Sequence, residues 1–464
     1  MKRFALLLSL SGVLALTAAA QSKPELAATP PMGWNSWDSY GLTVTESQFR
    51  ANVEWLHEHL QPYGWKYVVI DEGWYLAHPE DSSDPGYTLS AKGLYLPAID
   101  RFPSAGREDG FKPLADYVHS LGLKFSIHII RGIPRGAVEK NLPIAGSPFH
   151  AAEAADRSDR CGWNQDNYGV RDNAAGQAYY DSVMQLYASW GVDFVKVDCI
   201  SSPYKAASIR MIDKAIAKTG RPMVLSLSPG PTPLVDANQV ARSAQMWRIS
   251  NDFWDLWTAQ NDEHGFPQNL KDQFALLAAW EPYAGPGHWP DGDMLPIGYL
   301  GPHPGWGEPR QSRLSLTEVR TLITLWSIAR SPLILGANLT RMDPATEALL
   351  TNIEVLDVDQ HTTDNHAIQQ TGQATNPHAN DIVFWIAREE DDTILAVFNR
   401  TDRAVRINLP PWPKLGSQFG LDRSSYLVQD LWLRKNIGRR MSLSVMLPAH
   451  GAALYRLSNW PPKR

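Results

Sequence analysis

Cysteine is scarce in this chain of 464 residues, which contains only Cys161 and Cys199. Two cysteines cannot complete a four-ligand zinc site alone, and no histidine pair at ligand spacing lies nearby to assist them. The sequence therefore predicts no metal site.

Positive charge is not in excess either. The chain carries 43 Lys and Arg against 49 Asp and Glu, a formal net charge of -6. Proteins that bind nucleic acid neutralise phosphates with clustered Lys and Arg, and no such cluster is present. The balance argues against a nucleic-acid partner and against a polyanionic ligand.

Long apolar runs are missing beyond the amino terminus, so no membrane span is expected. At the terminus, Lys2 and Arg3 precede an apolar stretch over residues 4–16, and alanines follow at residues 18–20. This is the layout of a secretory signal peptide, predicted over residues 1–20. A membrane anchor is the alternative, but the apolar run is short for a span of roughly 20 residues.

A signal peptide implies export to the periplasm or the cell exterior. Those compartments are oxidising, and a pair of cysteines can close there. The sequence therefore predicts one disulfide, between Cys161 and Cys199.

The region from residue 21 to 362 alternates short apolar runs with longer amphipathic stretches. Such alternation over roughly 300 residues predicts a (β/α)8 TIM barrel, with a doubly wound open sheet as the alternative. No glycine-rich phosphate loop follows the first of these strands, which counts against the open sheet. The predicted strands are 67–71, 125–130, 194–198, 223–228, 246–250 and 332–336, and the predicted helices are 46–60, 111–121, 175–190, 208–218, 270–279 and 316–328.

The pattern changes in the last hundred residues, 363–464. Short strands separated by turn residues follow one another there without a helical run between them, which predicts a C-terminal antiparallel β-sandwich domain. The predicted strands are 381–387, 393–399, 404–409, 425–431 and 452–457.

Polar residues end five of the predicted barrel strands, where a barrel carries its catalytic groups. Lys196 and Asp198 are two residues apart and so share one face of their strand. A cation beside a carboxylate favours the ionised form, which suits a nucleophile. A Schiff-base enzyme that uses Lys196 is the rival chemistry. The strand-end residues are Asp71, Glu72, His128, Lys196, Asp198, Ser228, Arg248 and Asp252.

Five segments of the sequence resemble the motifs of one enzyme family, in the same order. TPPMGWNSW (29–37), DEGW (71–74), GVDFVKVDC (191–199), WRISND (247–252) and GPGHWPDGDML (285–295) resemble, in order, segments of glycoside hydrolase family 27, the α-galactosidase family. The resemblance covers nearly the whole chain after residue 28. It implies a barrel with a β-domain and no cofactor or metal.

The resemblance also implies roles for individual residues. Asp198 matches the family's nucleophile and Asp252 its general acid/base. Cys161 and Cys199 match a bridged pair beside the active site. The positions that hold the sugar are matched by Trp37, Asp71, Lys196, Arg248 and Asp293.

Three positions depart from the family's pattern. Glu72 replaces the usual Asp, His128 replaces a common Tyr, and Ser228 lies in a Leu-Ser-Pro segment that replaces Cys-Glu-Trp. Glu72 and His128 are expected to line the pocket around C4, C5 and C6 of the sugar. One added methylene at Glu72 could crowd the hydroxymethyl group of galactose.

The sequence therefore predicts a retaining exo-glycosidase that releases terminal α-D-galactopyranosyl residues from oligo- or polysaccharides. The alternative on the same scaffold is a β-L-arabinopyranosidase, whose sugar lacks the hydroxymethyl group. A carbohydrate-binding protein without catalysis is the alternative from another class, although both carboxylates are present.

Overall fold

The computed structural model describes residues 26–106, 109–260, 262, 265–368, 381–415 and 417–459. The predicted signal peptide lies outside these ranges. Within them, no helix combines the length and the apolar character that a membrane crossing needs.

Eight parallel strands form the first part of the molecule. Each pairs with its neighbours in the order β7-β6-β5-β4-β3-β2-β1-β8. Leu295, just after β7, makes an isolated parallel bridge to Leu335 in β8, which closes the sheet into a barrel. The TIM barrel is thus confirmed and the open sheet excluded. The strands are β1 (Met32–Asn35), β2 (Tyr67–Ile70), β3 (Lys124–Ile130), β4 (Phe194–Asp198), β5 (Val224–Leu227), β6 (Met246–Arg248), β7 (Trp289–Asp291) and β8 (Leu333–Leu335).

Helices follow the strands, and local signals in the sequence set their ends. Thr45 and Gln48 form a capping box at the start of α1, and Ser315 and Glu318 form another at the start of α7. These reciprocal bonds satisfy backbone N–H groups that the first turn leaves free. The helices are α1 (Glu46–His59), α2 (Lys112–Ser120), α3 (Ala174–Trp190), α4 (Ala206–Thr219), α5 (Ala237–Val240), α6 (Leu270–Trp280), α7 (Leu316–Ala329), α8 (Pro344–Leu350) and α9 (Ile353–His361). Three further short helices are Trp37–Tyr40, Arg135–Glu139 and Ala151–Ala154.

The barrel interior is apolar at its base and polar at its top. Tyr67, Val69 and Phe194 belong to a buried cluster inside the barrel, with inward residues of neighbouring strands. Side chains alternate along a strand, so the same face continues upward from Val69 to Asp71 and from Phe194 to Lys196 and Asp198. The register of each strand therefore carries its polar residues to the carboxyl end of the barrel.

A small antiparallel sheet that was not predicted lies between β3 and α3. It consists of Ile133–Pro134, Ala155–Arg160 and Asn167–Val170. The segment from Cys161 to Asp166 connects two of its strands, and Cys161 is bonded to Cys199, with 5.9 Å between the Cα atoms. The predicted disulfide is confirmed, and it fastens this segment beside the end of β4.

The second part of the molecule is an antiparallel β-domain, as predicted. A six-stranded sheet has the order β9-β10-β11-β16-β13-β14, and β12 pairs with β15 in a second layer. The division of the chain between residues 362 and 363 stays a prediction. The strands are β9 (Thr363–Ala367), β10 (Ile382–Glu389), β11 (Asp392–Asn399), β12 (Val405–Asn408), β13 (Tyr426–Asp430), β14 (Lys435–Arg440), β15 (Ser444–Leu447) and β16 (Ala452–Ser458).

The β-domain packs against the barrel through a shared core. Trp385, Phe398 and Trp432 belong to the same buried cluster as the barrel's helices. The indole Nε1 of Trp432 donates to Thr324 Oγ1 in α7 at 2.9 Å. The two parts are therefore joined by continuous apolar packing.

Candidate active site

A cleft of about 620 Å³ opens at the carboxyl ends of the barrel strands. Three of the residues singled out from the sequence, Asp293, His128 and Ser228, lie behind its wall, in contact with residues that line it. The predicted residues that line the cleft are Trp37, Asp71, Glu72, Lys196, Asp198, Arg248 and Asp252.

Asp198 is surrounded by groups that stabilise its charge. Its Oδ2 lies 3.1 Å from His128 Nε2, and its Oδ1 lies 3.9 Å from Lys196 Nζ. The hydroxyl of Ser228 donates a hydrogen bond to Oδ1. Burial alone would raise the pKa of Asp198, but Lys196, His128 and Ser228 outweigh it and lower the pKa. This side chain is an anion at neutral pH, as a nucleophile must be.

Asp71 forms an ion pair with Lys196 at the floor of the cleft. Lys196 Nζ lies 2.9 Å from Asp71 Oδ2, which also accepts a hydrogen bond from Asn35 Nδ2 at 2.7 Å. Burial alone would lower the pKa of Lys196, but Asp198 and Asp71 outweigh it and raise the pKa. Lys196 is therefore held as a cation between two carboxylates.

Arg248 forms ion pairs with two carboxyl groups, those of Asp252 and Asp293. Its Nη2 lies 3.1 Å from Asp252 Oδ1 and 2.7 Å from Asp293 Oδ2. The side chain of Asp252 is 42% exposed, whereas that of Asp198 is 12% exposed. Burial raises the pKa of Asp293 to about 7, and Asp252 and Asp291 add to the rise, against the effect of Arg248. Asp252 is thus open to the cleft while Asp293 is enclosed.

Glu72 is almost fully buried, with 7% of its surface exposed. Burial raises its pKa to about 8, and Asp198, Asp71 and Asp166 add to the rise, while His128 opposes it. Its Oε1 accepts a hydrogen bond from Asn164 Nδ2 at 2.7 Å. At neutral pH the pocket therefore contains a protonated Glu72 that can donate a hydrogen bond.

His128 lies beneath Asp71 and Asp198 and is fully buried. Its Nε2 is 3.9 Å from Asp71 Oδ1 as well as 3.1 Å from Asp198 Oδ2. Burial alone would lower the pKa of His128, but the two carboxylates outweigh it and raise the pKa. A tyrosine at this position would present a phenol hydroxyl to the two carboxylates in place of an imidazole.

The sequence did not reveal Asn164, Trp163 or Asp166 as cleft residues, although all three line it. They follow Cys161 closely, and the disulfide brings that segment to the end of β4. The predicted bridge to Cys199, next to the proposed nucleophile, is the signal that could have identified them.

Within the part of the chain that the structure describes, no group of three or more His, Cys, Asp or Glu is arranged to hold a metal ion.

Comparisons with known proteins agree with the fold. A family model described as alpha galactosidase A matches residues 165–361, and one described as alpha galactosidase C-terminal beta sandwich domain matches residues 379–457. Alpha-galactosidase A of Cellvibrio japonicus is 29% identical, and the match covers 96% of each chain. Alpha-N-acetylgalactosaminidase of Gallus gallus is also 29% identical, over 89% of this chain and 88% of that protein.

A solved structure is more similar in sequence. The GH27 β-L-arabinopyranosidase of Geobacillus stearothermophilus is 41% identical, with a TM-score of 0.85, over 94% of this chain and 98% of that one. A barrel with this arrangement of strand-end carboxylates and these matches defines a glycoside hydrolase. The chain belongs to glycoside hydrolase family 27.

Proposed function

We propose that this chain is a retaining exo-glycosidase that acts on a terminal pyranoside of galactose configuration. One observation carries the proposal: Asp198 and Asp252 line the same cleft but differ in burial and in the groups that contact them. Asp198 is buried among charge-stabilising groups, and Asp252 is more exposed and bonded to Arg248. Buried Asp71 and Glu72 form the floor, which suits one terminal sugar ring.

In the first step, a carboxylate oxygen of Asp198 attacks the anomeric carbon, and the bond from that carbon to the leaving oxygen breaks. Asp252, in its protonated form, gives its proton to the leaving oxygen as the bond breaks. The product of this step is a glycosyl ester on Asp198.

In the second step, Asp252 takes a proton from a water molecule, which attacks the anomeric carbon from the side that the leaving group vacated. The ester bond breaks, Asp198 regains its charge, and Asp252 regains its proton. Two inversions give net retention. The two carboxyl groups supply both functions, and the mechanism predicts a separation of about 5–5.5 Å or somewhat more between them, against about 6.5–9.5 Å in inverting enzymes.

The other polar residues of the cleft hold the sugar. Asp71, Lys196 and Arg248 present charged groups to its hydroxyls, and Asp293 fixes Arg248 from behind. Trp37 offers an aromatic surface on which the apolar face of a sugar ring can pack. These assignments follow the residues predicted from the sequence.

The rival chemistry through a Schiff base at Lys196 is disfavoured by the geometry. A Schiff base forms from the uncharged amine. Lys196 lies between two carboxylates that raise its pKa, so it stays protonated at neutral pH.

Two sugars of galactose configuration fit the proposal. The α-D-galactopyranoside is the substrate predicted from the sequence, and galactosidases are among the relatives. The β-L-arabinopyranoside has the same ring hydroxyls without the hydroxymethyl group. It is favoured by Glu72, whose longer side chain lines the cleft, and by the 41% identity with a β-L-arabinopyranosidase.

The test is a panel of nitrophenyl glycosides: the α-D-galactoside, the β-L-arabinopyranoside and the α-N-acetylgalactosaminide. Proton NMR of the first-formed sugar reads the anomeric configuration directly. Hydrolysis with retention supports the proposal. An inverted product contradicts the mechanism, and sugar binding without hydrolysis supports the non-catalytic alternative.

We also propose that the protein is exported after removal of residues 1–20, to the periplasm or the cell exterior. The disulfide between Cys161 and Cys199 supports an oxidising compartment. Amino-terminal sequencing of the mature protein from cell fractions tests this: a protein that keeps Met1 in the cytoplasm contradicts it.

A further inference from the structure

A second cavity, of about 320 Å³, adjoins the catalytic cleft. We call it the outer groove, and it shares Gln165 and Asp166 with the lining of the catalytic cleft. The other residues that line it are Tyr87, Leu89, Tyr95, Pro134, Arg135, Gly136 and Glu139.

Stacked phenol rings form one side of the outer groove. Tyr95 stacks on Tyr75 with 4.0 Å between the ring centroids, and Tyr87 stacks beside both at 6.3 Å. Tyr87 is 46% exposed. Rings supported in this way lose little conformational freedom when a ligand binds, and they offer an apolar face beside a polar rim. This is a surface on which a pyranose ring can pack.

The polar rim of the outer groove carries one cation, Arg135, and two carboxyl groups, Glu139 and Asp166. Arg135 Nε and Glu139 Oε1 are 4.0 Å apart, and the two side chains are 37% and 55% exposed. Both can exchange hydrogen bonds with hydroxyl groups. Because the carboxyl groups outnumber the cation, the groove suits a neutral ligand better than an anionic one.

Asp166, in the wall between the two cavities, is hydrogen-bonded to residues on both sides. The carboxylate of Asp166 accepts hydrogen bonds from Tyr75 Oη at 2.5 Å, from Tyr87 Oη and from Asn164 Nδ2 at 3.3 Å. Asn164 also donates to Glu72 in the catalytic cleft. The aromatic side of the outer groove is therefore fixed relative to the sugar pocket.

We propose that the outer groove binds a neutral sugar unit of the leaving group, on the far side of the glycosidic bond that is cleaved. The inference rests on the proposed function and extends it: the leaving group is a neutral saccharide. Trp163, 51% exposed, lines the catalytic cleft and is two residues before Gln165, which lines both cavities.

The test compares two substrates with the same terminal sugar, a nitrophenyl glycoside and that sugar linked to a neutral linear tetrasaccharide. Tyr87→Ala removes the exposed ring. Its kcat/KM on the tetrasaccharide should fall about tenfold, mainly through KM, because one aromatic packing contact is lost. Its kcat/KM on the nitrophenyl glycoside should stay within twofold of the wild type.

Tyr87→Phe is the matched control, because it keeps the ring and removes the hydrogen bond to Asp166. It should leave the ratio of kcat/KM for the two substrates at the wild-type value, because a loss that acts through the wall falls on both substrates alike. Equal losses on both substrates in Tyr87→Ala would mean that Tyr87 acts through the wall, and this would overturn the proposal.

A binding measurement separates this inference from the catalytic proposal. Calorimetric titration of the wild type with neutral linear tetrasaccharides of mannose, xylose and glucose should show at least one that binds, and Tyr87→Ala should weaken it. If the nitrophenyl panel is not hydrolysed, the proposed function fails, whereas the titration still reports on the groove. No binding of any tetrasaccharide overturns the inference.

Discussion

Removal of the two carboxyl groups assigned to catalysis, Asp198 and Asp252, should reduce the rate of hydrolysis to different extents. Asp198→Ala should abolish turnover of every substrate, because it removes the carboxylate that forms the glycosyl ester, and added azide should not restore a retained product. Asp252→Ala should be milder on nitrophenyl glycosides, since nitrophenolate needs little protonation. On poor leaving groups its loss should be about 10²–10⁴-fold. Equal losses on good and poor leaving groups would remove the assignment of Asp252.

We expect Glu72 to determine the preference between α-D-galactosides and β-L-arabinopyranosides. If its side chain fills the space of the hydroxymethyl group, Glu72→Asp should raise activity on α-D-galactosides relative to β-L-arabinopyranosides. The shift should correspond to ~1–3 kcal/mol, the value of one methylene in a pocket. The ratio of kcat/KM for the two nitrophenyl glycosides measures it. An unchanged ratio would transfer the role to His128.

Glu72 should also make stability depend on pH. Its pKa is raised from 4.5 to about 8 in the folded protein. The folded state then holds this proton more tightly than the unfolded state, so the stabilisation is present below pH 4.5 and is lost as the pH rises toward 8. Between these limits the free energy of unfolding of the wild type should fall, relative to that of Glu72→Gln, by about 2–4 kcal/mol.

Denaturant titrations at pH 4.5, 6 and 8 would measure this difference. Glu58→Gln, a change at an exposed glutamate on α1, is the matched control and should run parallel to the wild type. A Glu72→Gln curve that is also parallel to the wild type would show that Glu72 is ionised in the folded protein.

The sequence revealed residues whose positions follow from strand register, and missed those whose positions follow from tertiary contacts. Asp71, Lys196 and Asp198 could be placed because each ends an apolar strand. Asn164 could not, because it lies on an irregular segment whose location depends on the disulfide. Nothing local in the sequence indicates that Asn164 contacts Glu72.

At the scale of elements, the segment from Cys161 to Asp166 is bonded to Cys199, the residue that follows β4. Replacing both cysteines, in Cys161→Ser with Cys199→Ser, should lower the free energy of unfolding by about 4 kcal/mol, as the chain-entropy model gives for a loop of this length. The released segment should also hold Asn164 less firmly against Glu72, so KM should rise. Thermal unfolding and kinetics on the nitrophenyl panel measure the two effects.

Cys161→Ser alone is the control for this pair, because it breaks the same bond and leaves Cys199 in place. It should match the double variant in both stability and KM. A double variant with wild-type KM would show that the segment keeps its position without the bond.

Elements with a continuous apolar or amphipathic run could be predicted from the sequence, including the three-residue strands β6 and β8, whereas β7 could not. The bounds of α1, α3 and α7 agree within one or two residues, because capping signals mark where these helices start. The three-residue strand β7, Trp289–Asp291, contains a proline and is too short to show a periodic pattern. It was recognised only as part of a motif.

At the scale of the whole molecule, the barrel and the β-domain share a core, so they should unfold together. Trp432→Ala removes a buried indole from the contact with α7 and should lower the free energy of unfolding by ~3–5 kcal/mol. Leu433→Ala, at the adjacent and 64% exposed position, is the matched control and should change little. Calorimetry should show one transition in each variant. A wild-type barrel transition in Trp432→Ala would mean that the barrel folds independently.

The fold class followed from the sequence because alternation of strands and helices allows few arrangements. The packing of the β-domain on α7 did not follow, because it depends on side chains such as Trp432 and Thr324 that meet across more than a hundred residues.

Ala27, next to the first residue that the structure describes, lies at the base of the barrel. Trp289, the first residue of β7, donates its indole N–H to the carbonyl of Ala27 at 2.7 Å, and Gly287 N donates to the same oxygen at 3.0 Å. Strands of the barrel run from this base toward the cleft, so Ala27 lies on the face opposite the substrate. A tether joined ahead of residue 26 would therefore leave the mouth of the barrel unobstructed. Enzyme immobilised on beads by that end should work on large polymers as it does when free.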